Sequence, residues 1–203
     1  LSPQPSALSP QPHIFTYWEP KERMPYYIQL CIETWKKFLP NFPVTILDNS
    51  NLREYIDISL YGSELFNGNF SLPQIADAVR VMVLKEYGGI WFDADTIILN
   101  SDAESYMIHE KDDEITFFGT PESRNVHLAF IQSTPKSRCM RLWVEYVKDK
   151  VQNFNPPKKD FWAYFGNSFI NVYSKAFPEE INILDRRQIM PELPCAESTY
   201  DAY

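Results

Sequence analysis

Two aspartates one residue apart, Asp93 and Asp95, sit in GGIWFDADTIIL (residues 88–99), a run whose other side chains are small, apolar or β-prone. An ionised carboxylate buried in such a run is costly unless it is paired, hydrogen-bonded or bound to a metal. In the segment before it, LPQIADAVRVMVLKEY (72–87), the run of apolar residues is interrupted by Asp77 and Arg80. Apolar residues surround nearly the whole of that predicted helix, which marks it as buried rather than amphipathic. The two charges lie three residues apart, on neighbouring rows of one face, and spacing alone favours an ion pair between them. Gly88-Gly89 leads the helix straight into the Asp93/Asp95 stretch, so one cation and three carboxylates gather in one part of the fold.

Two carboxylates flanking a small residue offer hard oxygen ligands to a divalent cation. Mg²⁺ and Mn²⁺ accept such ligands and share their remaining positions with water and substrate phosphates. A diphosphate-linked sugar would bring those phosphates, and a cation beside them would neutralise charge developing on the leaving group. DADTIILNSD lacks the glycine and alternating oxygen ligands of an EF-hand, so a calcium loop fits poorly. A lone DxD is common by chance. DxD at the end of an apolar strand, after Gly-Gly and a buried D-x-x-R helix, is more specific.

The elements that must position these residues follow from periodicity and punctuation. Residues 1–12, LSPQPSALSPQP, repeat SPQP without an apolar period and read as a flexible Pro-rich lead-in. Residues 13–203 read as a single domain. Strands are expected at 13–18, 44–48, 90–92, 96–99, 115–118, 128–132 and 181–184. Helices are expected at 26–39, 52–56, 72–87, 137–151 and 160–177, with a loop over 59–71. Strands alternating with helices predict an α/β layer fold on a mixed, mostly parallel sheet.

A chain of 203 residues, 44 % hydrophobic and 15 % aromatic, has the composition of a globular domain. Its formal charge of −8 argues against a broad nucleic-acid or anionic-membrane surface, leaving room for a small phosphorylated ligand held by a few cations. Cys31, Cys139 and Cys195 are widely spaced and odd in number, which suits neither a zinc site nor a disulfide framework and points to a reducing compartment. No apolar stretch approaches the ~20 residues of a membrane span, and no signal-peptide pattern opens the chain.

On these residues the chain resembles a known family. QIADAVRVMVLKEYGGIWFDADTIIL (74–99) is similar to the core block of DXD-containing glycosyltransferases of the capsular-polysaccharide-synthesis type. That type is related to glycosyltransferase family 32 and to the glucosylating domains of large clostridial toxins. From residue 13 the chain follows the family's opening: a strand ending in Trp, a helix with a T-W pair, and a strand leading to Asp-x-x-Asn. The match loosens after about Gly119. The resemblance implies a GT-A, Rossmann-like fold, a UDP-sugar donor, Mn²⁺ (or Mg²⁺), and retention of anomeric configuration. It implies Asp95 as metal ligand, with Asp93 contacting the ribose and donor sugar or helping to hold the metal. Asp77 would accept from donor-sugar hydroxyls, Arg80 would face the sugar and diphosphate, and Trp18 would stack on the nucleobase. The implied acceptor is a glycan or lipid-linked glycan of a capsule or other surface polysaccharide. The implied setting is the cytoplasm, with peripheral association at the inner face of the membrane allowed. The family places a further metal or diphosphate contact near the end of its catalytic domain. The chain stops at YDAY without an identifiable one, which reads as truncation at the C-terminus.

Competing readings stand beside several positions. Trp18 is also a plausible core aromatic, and Asp48 after VTIL is more often a cap or turn residue. His109 and His127 could complete a metal shell, though lone histidines are usually satisfied locally. Phe161, Trp162, Tyr164 and Phe165 favour helix packing over sugar stacking, and residues 110–114 read as a solvated acidic turn. Two other classes compete with a transferase. One is a nucleotidyltransferase or similar nucleotide-diphosphate enzyme; the other is a non-enzymatic carbohydrate or interaction domain.

Overall fold

The computed structural model describes residues 12–107, 114–135, 137–153 and 163–188. Its frame is a six-stranded sheet in the order β2-β1-β3-β5-β4-β6. The strands are β1 (Ile14–Tyr17), β2 (Val44–Leu47), β3 (Gly89–Phe92), β4 (Ile115–Thr120), β5 (Asn125–Ser133) and β6 (Ile181–Asp185). β2, β1 and β3 run parallel, as do β4 and β6, while β5 runs antiparallel to both β3 and β4. The expected mixed, mostly parallel α/β sheet is therefore present.

Helices cover both faces, and the period-2 alternation of the strands decides which side chains meet them. On one face Phe15, Tyr17, Trp91, Phe117 and Ile131 pack with α3 (Leu72–Tyr87), α4 (Arg138–Gln152) and α5 (Asn167–Ala176). On the other, Ile14, Ile90, Phe92 and Phe130 meet α1 (Tyr26–Phe38). α1 buries Ile28, Cys31, Ile32 and Trp35, the i, i+3, i+4, i+7 stripe of a helix lying on a core. A single turn, α2 (Leu52–Tyr55), follows β2, and two 3₁₀ turns (Ile58–Tyr61 and Ser63–Phe66) occupy much of the predicted loop over 59–71.

The site depends most on α3. Ser71 and Gln74 form a reciprocal capping box at its start, Pro73 stands in its first turn, and Gly88 ends it at φ 63°. Val79, Val81, Met82, Val83 and Leu84 are wholly buried. At about 1.5–3 kcal/mol for each large apolar side chain, their burial exceeds the several kcal/mol that desolvating one ion pair costs. A helix packed this firmly can hold charges in the interior.

Two expected elements differ in the structure. Residues 96–99 form no strand: β3 ends at Phe92, and Asp93, Ala94 and Asp95 lie in a turn closed by Thr96 N–H donating to Asp93 O at 2.9 Å. The helix expected over 160–177 is seen only as α5, with a turn over 163–166; residues 160–162 lie outside the described residues. The chain beyond Thr96 is held by helix side chains in place of a neighbouring strand. Trp35 Nε1 donates to Thr96 O at 2.7 Å, and Ile98 N–H donates to Thr34 Oγ1 at 3.0 Å. Among the described residues, no helix is long and apolar enough to cross a membrane.

Candidate active site

β1 and β3 are parallel neighbours, so their carboxyl ends and the loops that follow open at one edge of the sheet. Trp18 falls just past β1, Asp48 just past β2, and Asp93 and Asp95 just past β3. α3 runs into β3 through Gly88 and Gly89, both at positive φ. A Cβ on Gly89 would stand 2.4 Å from His13 O, so only glycine allows β3 to enter the sheet this closely beside β1. This tight return sets α3 against the strand end and brings its charges to Asp93.

Arg80 is the centre of the cluster. Its side chain is 6 % exposed, and one terminal nitrogen lies 2.8 Å from Asp77 Oδ1 and 3.1 Å from Asp93 Oδ1. Its other terminal nitrogen donates to Leu128 O at 2.7 Å. The guanidinium lies 5.3 Å from the Trp91 ring centroid, and Trp91 Nε1 donates to Asp93 Oδ1 at 2.9 Å. Asp93 is tied down a third time through its backbone, whose N–H donates to Ala129 O at 2.9 Å. Arg80 Nε is buried and makes no hydrogen bond. The ion pair favoured by spacing is thus present, and the structure joins Asp93 to it.

Burial pushes the Asp77 carboxyl up to about 6; the Arg80 guanidinium pulls the other way, and the nearby Asp93 charge adds to the rise. Gly166, at the start of α5, closes the far side: a Cβ there would lie 3.3 Å from Asp77 Oδ2 and 2.4 Å from Leu128 Cδ1. The next residue, Asn167, has its side-chain oxygen buried and unbonded.

Asp95 differs from these residues. It is exposed, and its carboxylate makes no hydrogen bond or ion pair with the described residues. Among the described residues no three His, Cys, Asp or Glu side chains gather as a closed metal cage. One free carboxylate beside a second that is only partly engaged suits a hard cation completed by phosphates and water. It does not suit a closed four-ligand zinc site.

Trp18 is half-buried against the α1-side core, and its backbone N–H donates to Leu47 O at 3.0 Å. Asp48 accepts from the N–H groups of Ser50 and Asn51 at 2.7 and 3.0 Å, a turn residue. His127 is exposed on β5, its Nδ1 accepting from Ala129 N–H at 3.4 Å. Tyr164 and Phe165 are core residues. Cys31 and Cys139 are buried free thiols. Residues 1–11, 108–113, 161–162 and 195, with the predictions made for them, lie outside the described residues.

Sequence reasoning missed Trp91, the Leu128 carbonyl, Gly166 and Asn167. Trp91 was legible, since residues two apart on a strand share a face and Trp91 precedes Asp93 by two. The contributions from β5 and α5 carry no local signal, because only the tertiary fold brings them to α3.

Over residues 2–180 the chain matches the family described as "Capsular polysaccharide synthesis protein". Among solved structures it is similar to "PaToxG Glycosyltransferase", with TM-score 0.61 and 18 % identity, over 83 % of this chain and 70 % of that one. No curated protein matches it. The likeness of architecture, with helices on both faces of a mixed sheet, is that of the GT-A type. The chain belongs to the capsular polysaccharide synthesis protein family and has the fold of a glycosyltransferase.

Proposed function

We propose that this chain transfers a hexose from a UDP-sugar to a glycan acceptor of a capsule or other surface polysaccharide, with retention and with Mn²⁺ or Mg²⁺ as cofactor. The observation that carries this reading is the pairing of an unengaged carboxylate, Asp95, with the buried Asp77–Arg80–Asp93 cluster at the carboxyl edge of the sheet. That edge is where open α/β sheets collect ligands.

Asp95, aided by Asp93, would hold the cation, which when bound neutralises diphosphate charge. Asp77 accepts hydrogen bonds from donor-sugar hydroxyls, and Trp18 stacks on the nucleobase. Arg80 fixes Asp77 and Asp93 in mutual register. Its diphosphate contact draws the guanidinium away from its present bonds to Asp77, Asp93 and Leu128 O. With Asp77, Asp93 and Asp95 given to binding the sugar and the cation, the acceptor hydroxyl attacks from the front side. Positioning and charge stabilisation then provide most of the acceleration.

A thermal-shift panel of nucleotide sugars with and without Mn²⁺ tests the reading. One UDP-sugar should stabilise the chain selectively and only with the metal, by about 2.7 kcal/mol at a hundredfold excess over Kd. The Asp77–Arg80 ion pair at 2.8 Å also suits a non-enzymatic carbohydrate-binding domain, in which these charges are purely structural. That alternative prevails if calorimetry detects no metal-dependent binding of UDP.

A further inference from the structure

We propose that Thr34 and Trp35 of α1, assisted by Cys31, are positioning residues that set the Asp95 carboxylate for the cation; this rests on the metal role given to Asp95 above. Asp95 lies beyond the last paired residue of β3, where a sheet no longer fixes the backbone. Exposed loops of this kind normally vary in conformation, and a metal ligand on such a loop would be poorly placed.

Three successive points of that loop are instead bonded to one helix. Cys31 Sγ donates to the carbonyl of Asp95 itself at 3.6 Å, Trp35 Nε1 to Thr96 O at 2.7 Å, and Ile98 N–H donates to Thr34 Oγ1 at 3.0 Å. Thr34 Oγ1 donates in turn to Cys31 O at 2.6 Å, so the hydroxyl has one proton and one acceptor role, both defined by these bonds. Trp35 is wholly buried, and its ring packs at 5.2 Å on Phe92, the last residue of β3. The indole is thereby anchored to the strand end while its N–H reaches the loop. Residues 31, 34 and 35 occupy adjacent positions on a helical surface, the i, i+3, i+4 set. The face that packs on the sheet and the face that holds the loop are therefore the same.

None of these side chains bonds to the Asp95 carboxylate. They act through the backbone of residues 95–98, as outer partners of a metal site orient its ligands. Removing one should weaken Mn²⁺ affinity by about 10- to 100-fold.

The test measures Mn²⁺ binding to the full chain in the presence of UDP, by electron paramagnetic resonance, together with amide exchange of the metal-free protein. Thr34→Val and Trp35→Phe should each raise the Kd for Mn²⁺ by about tenfold or more. Thr34→Ser, which keeps the hydroxyl, should restore it. In Thr34→Val the amide of Ile98 should exchange faster while those of β3 do not. Wild-type Mn²⁺ affinity in Thr34→Val, or an unchanged Ile98 amide, would overturn the proposal even if Trp35→Phe fails to fold. If the wild-type chain itself binds no Mn²⁺ with UDP, the functional reading fails. The Ile98 amide then still decides whether Thr34 holds the loop.

Discussion

At the scale of single residues, Asp93 and Asp95 share a motif but not an environment. Asp93 is held by Arg80, by Trp91 and through its own backbone, whereas the carboxylate of Asp95 bonds to none of the described residues. Asp95→Asn should change stability by no more than about 0.5 kcal/mol while removing Mn²⁺-dependent UDP binding, as urea unfolding and calorimetry would record. Arg80→Met should cost about 3–5 kcal/mol, because it leaves two carboxylates beside a buried site without their cation; urea unfolding reads this directly. Asp77 sets a pH dependence. Its carboxyl moves from the ordinary 3.8 to about 6 in the folded chain, so between those values the folded state holds the extra proton. Its contribution to stability is therefore greatest below the lower value, declines as pH rises, and is flat above about 6. UDP-sugar affinity should run the opposite way, rising through that interval as the carboxylate forms. Asp77→Asn should flatten both profiles.

At the scale of elements, α3 was legible end for end because its capping box, its early Pro73 and its terminal Gly88 are all local signals. The Asp77–Arg80 pair was legible for the same reason. The run TIIL over 96–99 misled because β-branched residues favour strands, yet β-propensity supplies no neighbour. The partners are α1 side chains more than sixty residues upstream in sequence, reachable only through the fold. α5 was overextended because FWAYF continues an apolar pattern that Gly166 interrupts. The turn between α3 and β3 tests how tightly these elements are joined. Gly89→Ala places a Cβ against the His13 carbonyl at a φ of +89°. It should lower stability by roughly 1–3 kcal/mol or more, measured by thermal denaturation, and should weaken donor binding because β3 carries Asp93.

At the scale of the molecule, the parallel half of the sheet (β2, β1, β3) meets the antiparallel strand β5 at the line where Asp93 stands. Hydrogen exchange should show α3, buried between β1, β3 and α4, as the slowest segment, with the 3₁₀ turns over 58–66 among the fastest. The architecture followed from alternating strands and helices, but the reversal at β5 did not. An antiparallel strand and a parallel one share the same alternation, and their order is set by which edges can pair. Arg80 spans this line, since its three partners come from α3, from the end of β3 and from β5. A guest that drew the guanidinium toward itself would loosen its grip on both sides at once. The empty and loaded forms of the protein should accordingly differ in how stiffly the two halves of the sheet are coupled, with a single side chain as the joint.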